Sequence, residues 1–214
     1  EVLLLLANIE NQLSEYDDAI SHYLMAIQMG NPSIEIYYNL AMSYAQVENY
    51  MQALIAFQNA HTLSPDNSEL VFQISMCYKE LQIYDQAILR LETFIKAFPE
   101  DYLAHHLIGE LYFLIDEYDI AQLHFTKSLS LNSQDYLSLY FLGMCNFKKN
   151  NYINAAKFFK KSIKIEPDNP QTHFDLALTY HALGKKREVK KEMNIIYMLD
   201  QNLHIALKDS IEKN

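Results

Sequence analysis

Glycine and proline are scarce in this chain, with 4 and 5 among 214 residues. That scarcity excludes long loops and disordered linkers. Every Gly stands alone, so a glycine-rich phosphate cradle is excluded as well. Tryptophan is absent and cysteine is limited to Cys77 and Cys145, with no CxxC pair. HExxH and Ser-His-Asp patterns are missing too, which leaves hydrolytic and metal-dependent chemistry without an obvious basis. The apolar run Val2–Leu6 is too short to span a membrane and has no basic flank; it reads as the core stripe of a first helix. Positive charge is nearly missing from residues 1–135, where 4 Lys+Arg face 19 Asp+Glu, a net of −15. Residues 136–214 reverse the balance, 13 against 8, a net of +5. Such an asymmetry predicts different partners for the two halves, or weak salt-sensitive self-association of an otherwise monomeric chain.

What the chain does have is a period. In Asn49–Ala60, Tyr50, Ala53, Phe57 and Ala60 form a pattern that returns every 34 residues. Tyr50 recurs as Tyr16, Tyr84, Tyr118 and Tyr152, and Ala53 as Ala19, Ala87, Ala121 and Ala155. Phe57 becomes Tyr23, Leu91, Phe125 and Phe159. A fixed period with matching residue types marks an array of one supersecondary unit. The frames are 34–67, 68–101, 102–135, 136–169 and 170–203, with a near-complete unit at 1–33. Each frame holds two helical patterns. Apolar residues at frame positions 4, 7 and 11 share one face of the first, as do Tyr37, Leu40 and Tyr44. Small residues at 8 and 20 let the two backbones approach, and aromatics at 11, 17 and 24 fill the space around them. Ser33, Asn67, Asp101, Asp135 and Asn169 stand where first helices need an N-cap. Pro65, Pro99 and Pro167 end second helices, and Pro170 opens one at its first turn. The two cysteines are two whole periods apart, so they are expected to be free thiols, which suits a reducing, cytoplasmic compartment.

Leu40, Ala41, Tyr44, Ala53, Phe57, Ala60 and Pro65 together resemble the tetratricopeptide repeat signature, and the resemblance runs over essentially the whole chain. It implies an all-α, right-handed superhelical solenoid of about six helix-turn-helix repeats with a concave inner face. The ends depart from the pattern: Glu10 replaces Tyr in the first unit, and Lys186, Val189 and Met193 replace Tyr, Ala and Phe in the last. Terminal repeats that meet solvent are expected to degenerate in this way. Residues 204–214 are expected to be a solvating cap helix, or the first helix of a truncated seventh repeat. Because Glu1 is not an initiator Met, the sequence is expected to be a piece of something longer.

In the resembled family, the first helices line the concave face. Here that wall would carry Tyr38, Met42, Phe72, Met76, His106, Glu110, Phe113, Tyr140, Phe141, Met144, Phe147 and Phe174. Aromatics give contact area at low entropic cost, and Met adapts its shape, so the wall suits an apolar helix or extended segment of a partner protein. Some position-5 side chains could equally pack as core. Apolar residues concentrate between Leu103 and Phe147. Some family members clamp a C-terminal carboxylate with Lys, Asn, Asn, Lys and Arg; this chain offers Leu4, Asn8, Asn39, Glu69 and Gln73, which lacks all three cations. His106 and Glu110 share a face but amount to two potential metal ligands where a site needs three or four, so no metal or cofactor is expected. The basic cluster Lys148–Lys164 and Lys185–Lys191 falls mainly on second helices and turns, which the resemblance implies lie on the outer face and edges. It reads first as a solvated surface, then, in falling order, as a site for an acidic protein, an anionic lipid or nucleic acid; the lack of interleaved aromatics counts against single-stranded nucleic acid. The expected function is a non-catalytic interaction scaffold. The alternatives are a targeting domain of a larger enzyme or assembly factor, and a chaperone for secreted proteins.

Overall fold

The computed structural model describes residues 2–30 and 32–212; Glu1, Asn31, Lys213 and Asn214, which fall within the frames and cap expected above, lie outside it. Among the described residues there are thirteen helices and no strand. No helix among them is long and apolar enough to cross a membrane. The chain divides into two compact units, Glu1–Ala97 and Phe98–Asn214. The first contains α1 (Val2–Gln12), α2 (Tyr16–Gln28), α3 (Ile34–Gln46), α4 (Tyr50–Leu63), α5 (Ser68–Glu80) and α6 (Tyr84–Ala97). The second contains α7 (Tyr102–Leu114), α8 (Tyr118–Leu131), α9 (Tyr136–Lys148), α10 (Tyr152–Ile165), α11 (Pro170–Ala182), α12 (Lys186–Leu199) and α13 (Gln201–Glu212). Within each unit the helices stack as an all-α solenoid, each packed against the next.

The starts of the first helices follow from their caps. Ser33 accepts from Ile36 N–H, Asn67 from Glu69, Asp101 from Ala104, Asp135 from Ser138 and Asn169 from Thr172, at 2.9–3.3 Å. Their ends follow from a turn that recurs with the same period. Ser14, Glu48, Gln82, Asp116 and Asn150 have φ of 58–65°, and Gly184 has 69°. Each donates its N–H three residues back, as Gln82 does to Lys79 O at 2.9 Å, and the next residue donates five back, as Ile83 does to Tyr78 O at 2.8 Å. This paired bonding closes the helix end around one left-handed residue, a position at which glycine alone is unstrained. Gln82→Gly is therefore expected to stabilise the fold by about 0.5–1 kcal/mol, the relieved strain outweighing the greater entropy of an unfolded glycine. A urea midpoint that falls would sink this expectation.

Packing repeats with the same period. Ala19, Ala53, Ala87, Ala121 and Ala155 are fully buried, as are Tyr23, Leu91, Phe125 and Phe159, with Phe57 at 1 % exposure. In α9 the helix crossing is so close that Gly143 is required: a Cβ there would lie 2.6 Å from the Phe159 ring. Gly→Ala inside a helix ordinarily gains about 1 kcal/mol. Here the wholly enclosed ring cannot retreat, so Gly143→Ala is expected to cost about 1–2 kcal/mol net, read as a lower melting temperature. Helix α13 begins at Gln201, three residues before the expected cap, because Asp200 Oδ1 accepts from Leu203 N–H at 3.0 Å. Its Leu207 is fully buried in a cluster with Ala177 and Ile196, so it docks onto α11 and α12. Cys77 and Cys145 are both free and buried. Burial pushes their thiols up to about 11 and about 12, which keeps them protonated and unreactive.

Candidate binding surface

In the first unit, Tyr38 and Met42 lie one turn apart on α3, and Phe72 and Met76 one turn apart on α5; all four are half-buried. The two rings are partly spent on the core. Tyr38 meets Phe57 edge-on at 5.5 Å, and Phe72 meets Phe94 at 5.3 Å. The two asparagines that matched the carboxylate clamp are committed to a shared contact. Asn39 Nδ2 donates to Asn8 Oδ1 at 3.1 Å, and the same oxygen accepts from Tyr23 Oη at 2.6 Å. Gln73 donates to Glu69 at 2.7 Å. This corner carries a carboxylate where a clamp needs cations, and a carboxylate ligand would meet repulsion.

In the second unit, Phe141 on α9 is the hub. It stacks on Phe125 at 5.2 Å with planes 7° apart, and takes edge contacts from Phe113 at 5.4 Å, Tyr140 at 5.3 Å and His106 at 5.9 Å. Phe113, Tyr140, Phe141, Met144 and Phe147 all remain half-buried, and Leu103, Leu114 and Leu137 are exposed. Sequence reasoning placed Phe113, Phe141 and Met144 on one patch. The first two are in ring contact, but Met144 packs with Phe147 against the next cluster, around Ala155, Phe159 and Leu176. Tyr140 reaches the following repeat: its Oη donates to Asp175 Oδ2 at 2.9 Å, where Gln171 also donates. Burial raises the Asp175 carboxyl, and burial with the Asp175 charge raises the Tyr140 hydroxyl. Phe174 packs against Ala177, Ile196 and Leu207.

His106 is buried rather than presented on the surface; its Nδ1 lies 2.8 Å from Ser138 Oγ and 3.4 Å from Asp135 Oδ2. Burial would raise the Asp135 carboxyl, but hydrogen bonds from His106, Ser138 and Ser128 prevail and hold it well below the usual range. Ser, His and Asp thus meet, yet they do not form a catalytic triad. Both partners approach the same ring nitrogen, and Ser138 is wholly buried. The cluster joins the Asp135 cap to α7 and positions Phe141. Glu110, one turn along α7, is half-buried. Among the described residues no three His, Cys, Asp or Glu side chains come together as a metal site.

Sequence reasoning missed a second histidine arrangement. His173 Nδ1 lies 2.6 Å from Glu192 Oε2 and its Nε2 2.9 Å from Pro167 O. One repeat pair earlier, His105 Nε2 lies 3.1 Å from Pro99 O and its Nδ1 3.2 Å from His124 Nδ1. The signal was available: His follows Pro by six residues in both places.

Comparison with known proteins agrees with this architecture. Residues 34–67 and 69–101 each match the family description "Tetratricopeptide repeat". Residues 115–191 match "Anaphase-promoting complex, cyclosome, subunit 3". Nothing among curated protein sequences matches the chain. A tetratricopeptide repeat protein from Parabacteroides merdae has 19% identity and a TM-score of 0.84, over 98% of this chain and 84% of its own. A thermophilic tetratricopeptide repeat protein of Thermus thermophilus has 15% identity and a TM-score of 0.70, over 84% and 99%. The MamA protein of Desulfovibrio magneticus has 19% identity and a TM-score of 0.69, over 78% and 94%. At these identities the likeness is one of fold.

Proposed function

Since the chain belongs to the tetratricopeptide repeat family, we propose that it is a non-catalytic protein-interaction scaffold whose first helices hold an apolar segment of a partner protein. The observation that carries this reading is the aromatic wall of α7 and α9. Its Phe113, Tyr140, Phe141, Met144 and Phe147 are packed enough to be preorganised, yet each keeps part of its surface uncovered. A partner side chain seated there would complete the burial and displace water from surface already ordered. Tyr38, Met42, Phe72 and Met76 offer the same chemistry on α3 and α5, and Phe174 continues it on α11. His106 supports the wall from beneath. Glu110, half-buried on α7, would border the segment with a polar group. The test is capture of partners from a lysate by the intact chain and by Met144→Ala and Phe113→Ala variants, with folding monitored on each. Equal capture by correctly folded variants would sink the reading.

A further inference from the structure

The lysines of α10 form something more specific than a solvated face. Lys157, Lys160, Lys161 and Lys164, with Lys185 from the turn before α12, line a cavity of about 400 Å³ whose apolar lining is Ile153, Ala156, Leu183 and Tyr180. Lys160 and Lys185 both lie over the buried Tyr180 ring, at 5.5 and 5.8 Å from its centre, so its π-face helps hold two like charges side by side. Among the described residues, the lysine ion pairs are made by Lys79, Lys149 and Lys208, not by these five. The Tyr180 hydroxyl acts on Lys160 first, and Glu192 and Glu188 after it, while Glu192 is itself held by His173. Positive charge is thus concentrated over apolar side chains, with no carboxylate in ion-pair contact with these five lysines among the described residues.

We infer that this cavity is a docking site for an extended acidic segment of a partner protein, with carboxylates at alternate positions and an apolar side chain beside them. Spacing favours that ligand. Lysines four apart on α10 are offset by about 6 Å along the helix. Alternate side chains of an extended strand are offset by about 6.6 Å. Two carboxylates two residues apart can therefore face Lys157 and Lys161 together, or Lys160 and Lys164. Nucleic acid fits less well: the one ring in the cavity is buried with lysines over it, leaving no free face for a base to stack on. A long polyanion or an anionic membrane would also meet the rest of a chain whose net charge is −10, whereas a short segment meets only the cavity within the screening length of about 8 Å.

The site is separate from the aromatic wall, and the test keeps the two apart. A fluorescein-labelled peptide of alternating Glu with a flanking Leu is titrated with the intact protein by anisotropy. Binding is expected, weakening with salt, and lost by at least about tenfold in Lys157→Glu/Lys161→Glu and with the Gln version of the peptide. Lys157→Gln/Lys161→Gln should give an intermediate loss. The equally charge-changing control Lys96→Glu/Lys127→Glu, and Phe113→Ala from the aromatic wall, should bind the peptide as the parent does. All substituted lysines are exposed, so melting temperatures should hold. The inference is overturned by absent binding or by equal loss in the control. It is also overturned by tighter binding of a single-stranded oligonucleotide or phosphatidylserine vesicles, or by self-association that the double reversal abolishes, since each means another occupant.

Discussion

Replacing Glu192 with Leu is expected to lower the melting temperature by about 10 °C, the loss of roughly 3 kcal/mol or more that follows when one partner of a buried ion pair is removed. Glu192 and His173 are 7 % and 4 % exposed, and both ring nitrogens of His173 face acceptors. The Glu192 hydrogen bond raises the His173 pKa; burial opposes it, and the Pro167 carbonyl adds to it. In Glu192→Leu, the ring keeps Pro167 but leaves Nδ1 enclosed without a partner. The double variant His173→Leu/Glu192→Leu should recover most of the loss, because two apolar side chains need no pairing. The pH dependence has a definite sign. A group whose folded pKa lies above its unfolded value of about 6.5 contributes fully below that value, and its contribution fades as pH rises through the folded pKa. The parent should therefore lose stability on the alkaline side of about pH 6.5, and the double variant should lose that component of the slope. Parallel stability–pH curves for the two proteins would show that the pair carries no linked proton.

The 34-residue period placed every first-helix start from Ser33 to Asn169, and the structure confirms all five caps. It succeeded because capping and helical periodicity are local: the residues that decide them are within four of one another. The left-handed turn residues were equally periodic but went unread, since Ser, Glu, Gln, Asp and Asn share no side-chain signature and only Gly184 advertises the conformation. Helix α13 starts early for a related reason: Asp200 offers an N-cap three residues before the frame's cap position, and local chemistry overrode the period. At the candidate surface, helical spacing grouped residues on one helix face but carried no information on their depth. His106 sinks beneath that face because Ser138 and Asp135, 32 and 29 residues away in sequence, supply its partners. Phe141 is drawn inward by Phe125. Such contacts depend on how neighbouring repeats pack, which a single repeat's pattern does not contain. The lysine cavity shows the same limit: the charges were plain in the sequence, but Tyr180 and Leu183, which complete its apolar lining, come from the following repeat.

Truncating the aromatic wall should separate anchoring from packing. Phe141→Ala is expected to lower the melting temperature by several degrees, because its ring stacks on the fully buried Phe125 and touches Phe113, Tyr140 and His106; removing it opens space that those rings border. Met144→Ala should behave differently. Met144 is unbranched and half-buried at the edge of the cluster around Phe159, so neighbours can close part of the gap, and the stability loss should be about 1–2 kcal/mol. If partner contact runs along α9, each truncation also removes an anchor, and anchors commonly cost 2 kcal/mol or more, about a thirtyfold loss of affinity. Phe113→Ala falls between the two, as its ring meets Phe141 and Tyr118 but borders fewer buried groups. Once a partner has been captured with the parent chain and identified by mass spectrometry, its dissociation constant is measured on each variant at a temperature where all are folded. The expected outcome is affinity loss in all three, with melting-temperature loss greatest in Phe141→Ala. Should affinity follow melting temperature alone, with Met144→Ala binding as tightly as the parent, these side chains are core and the partner docks elsewhere.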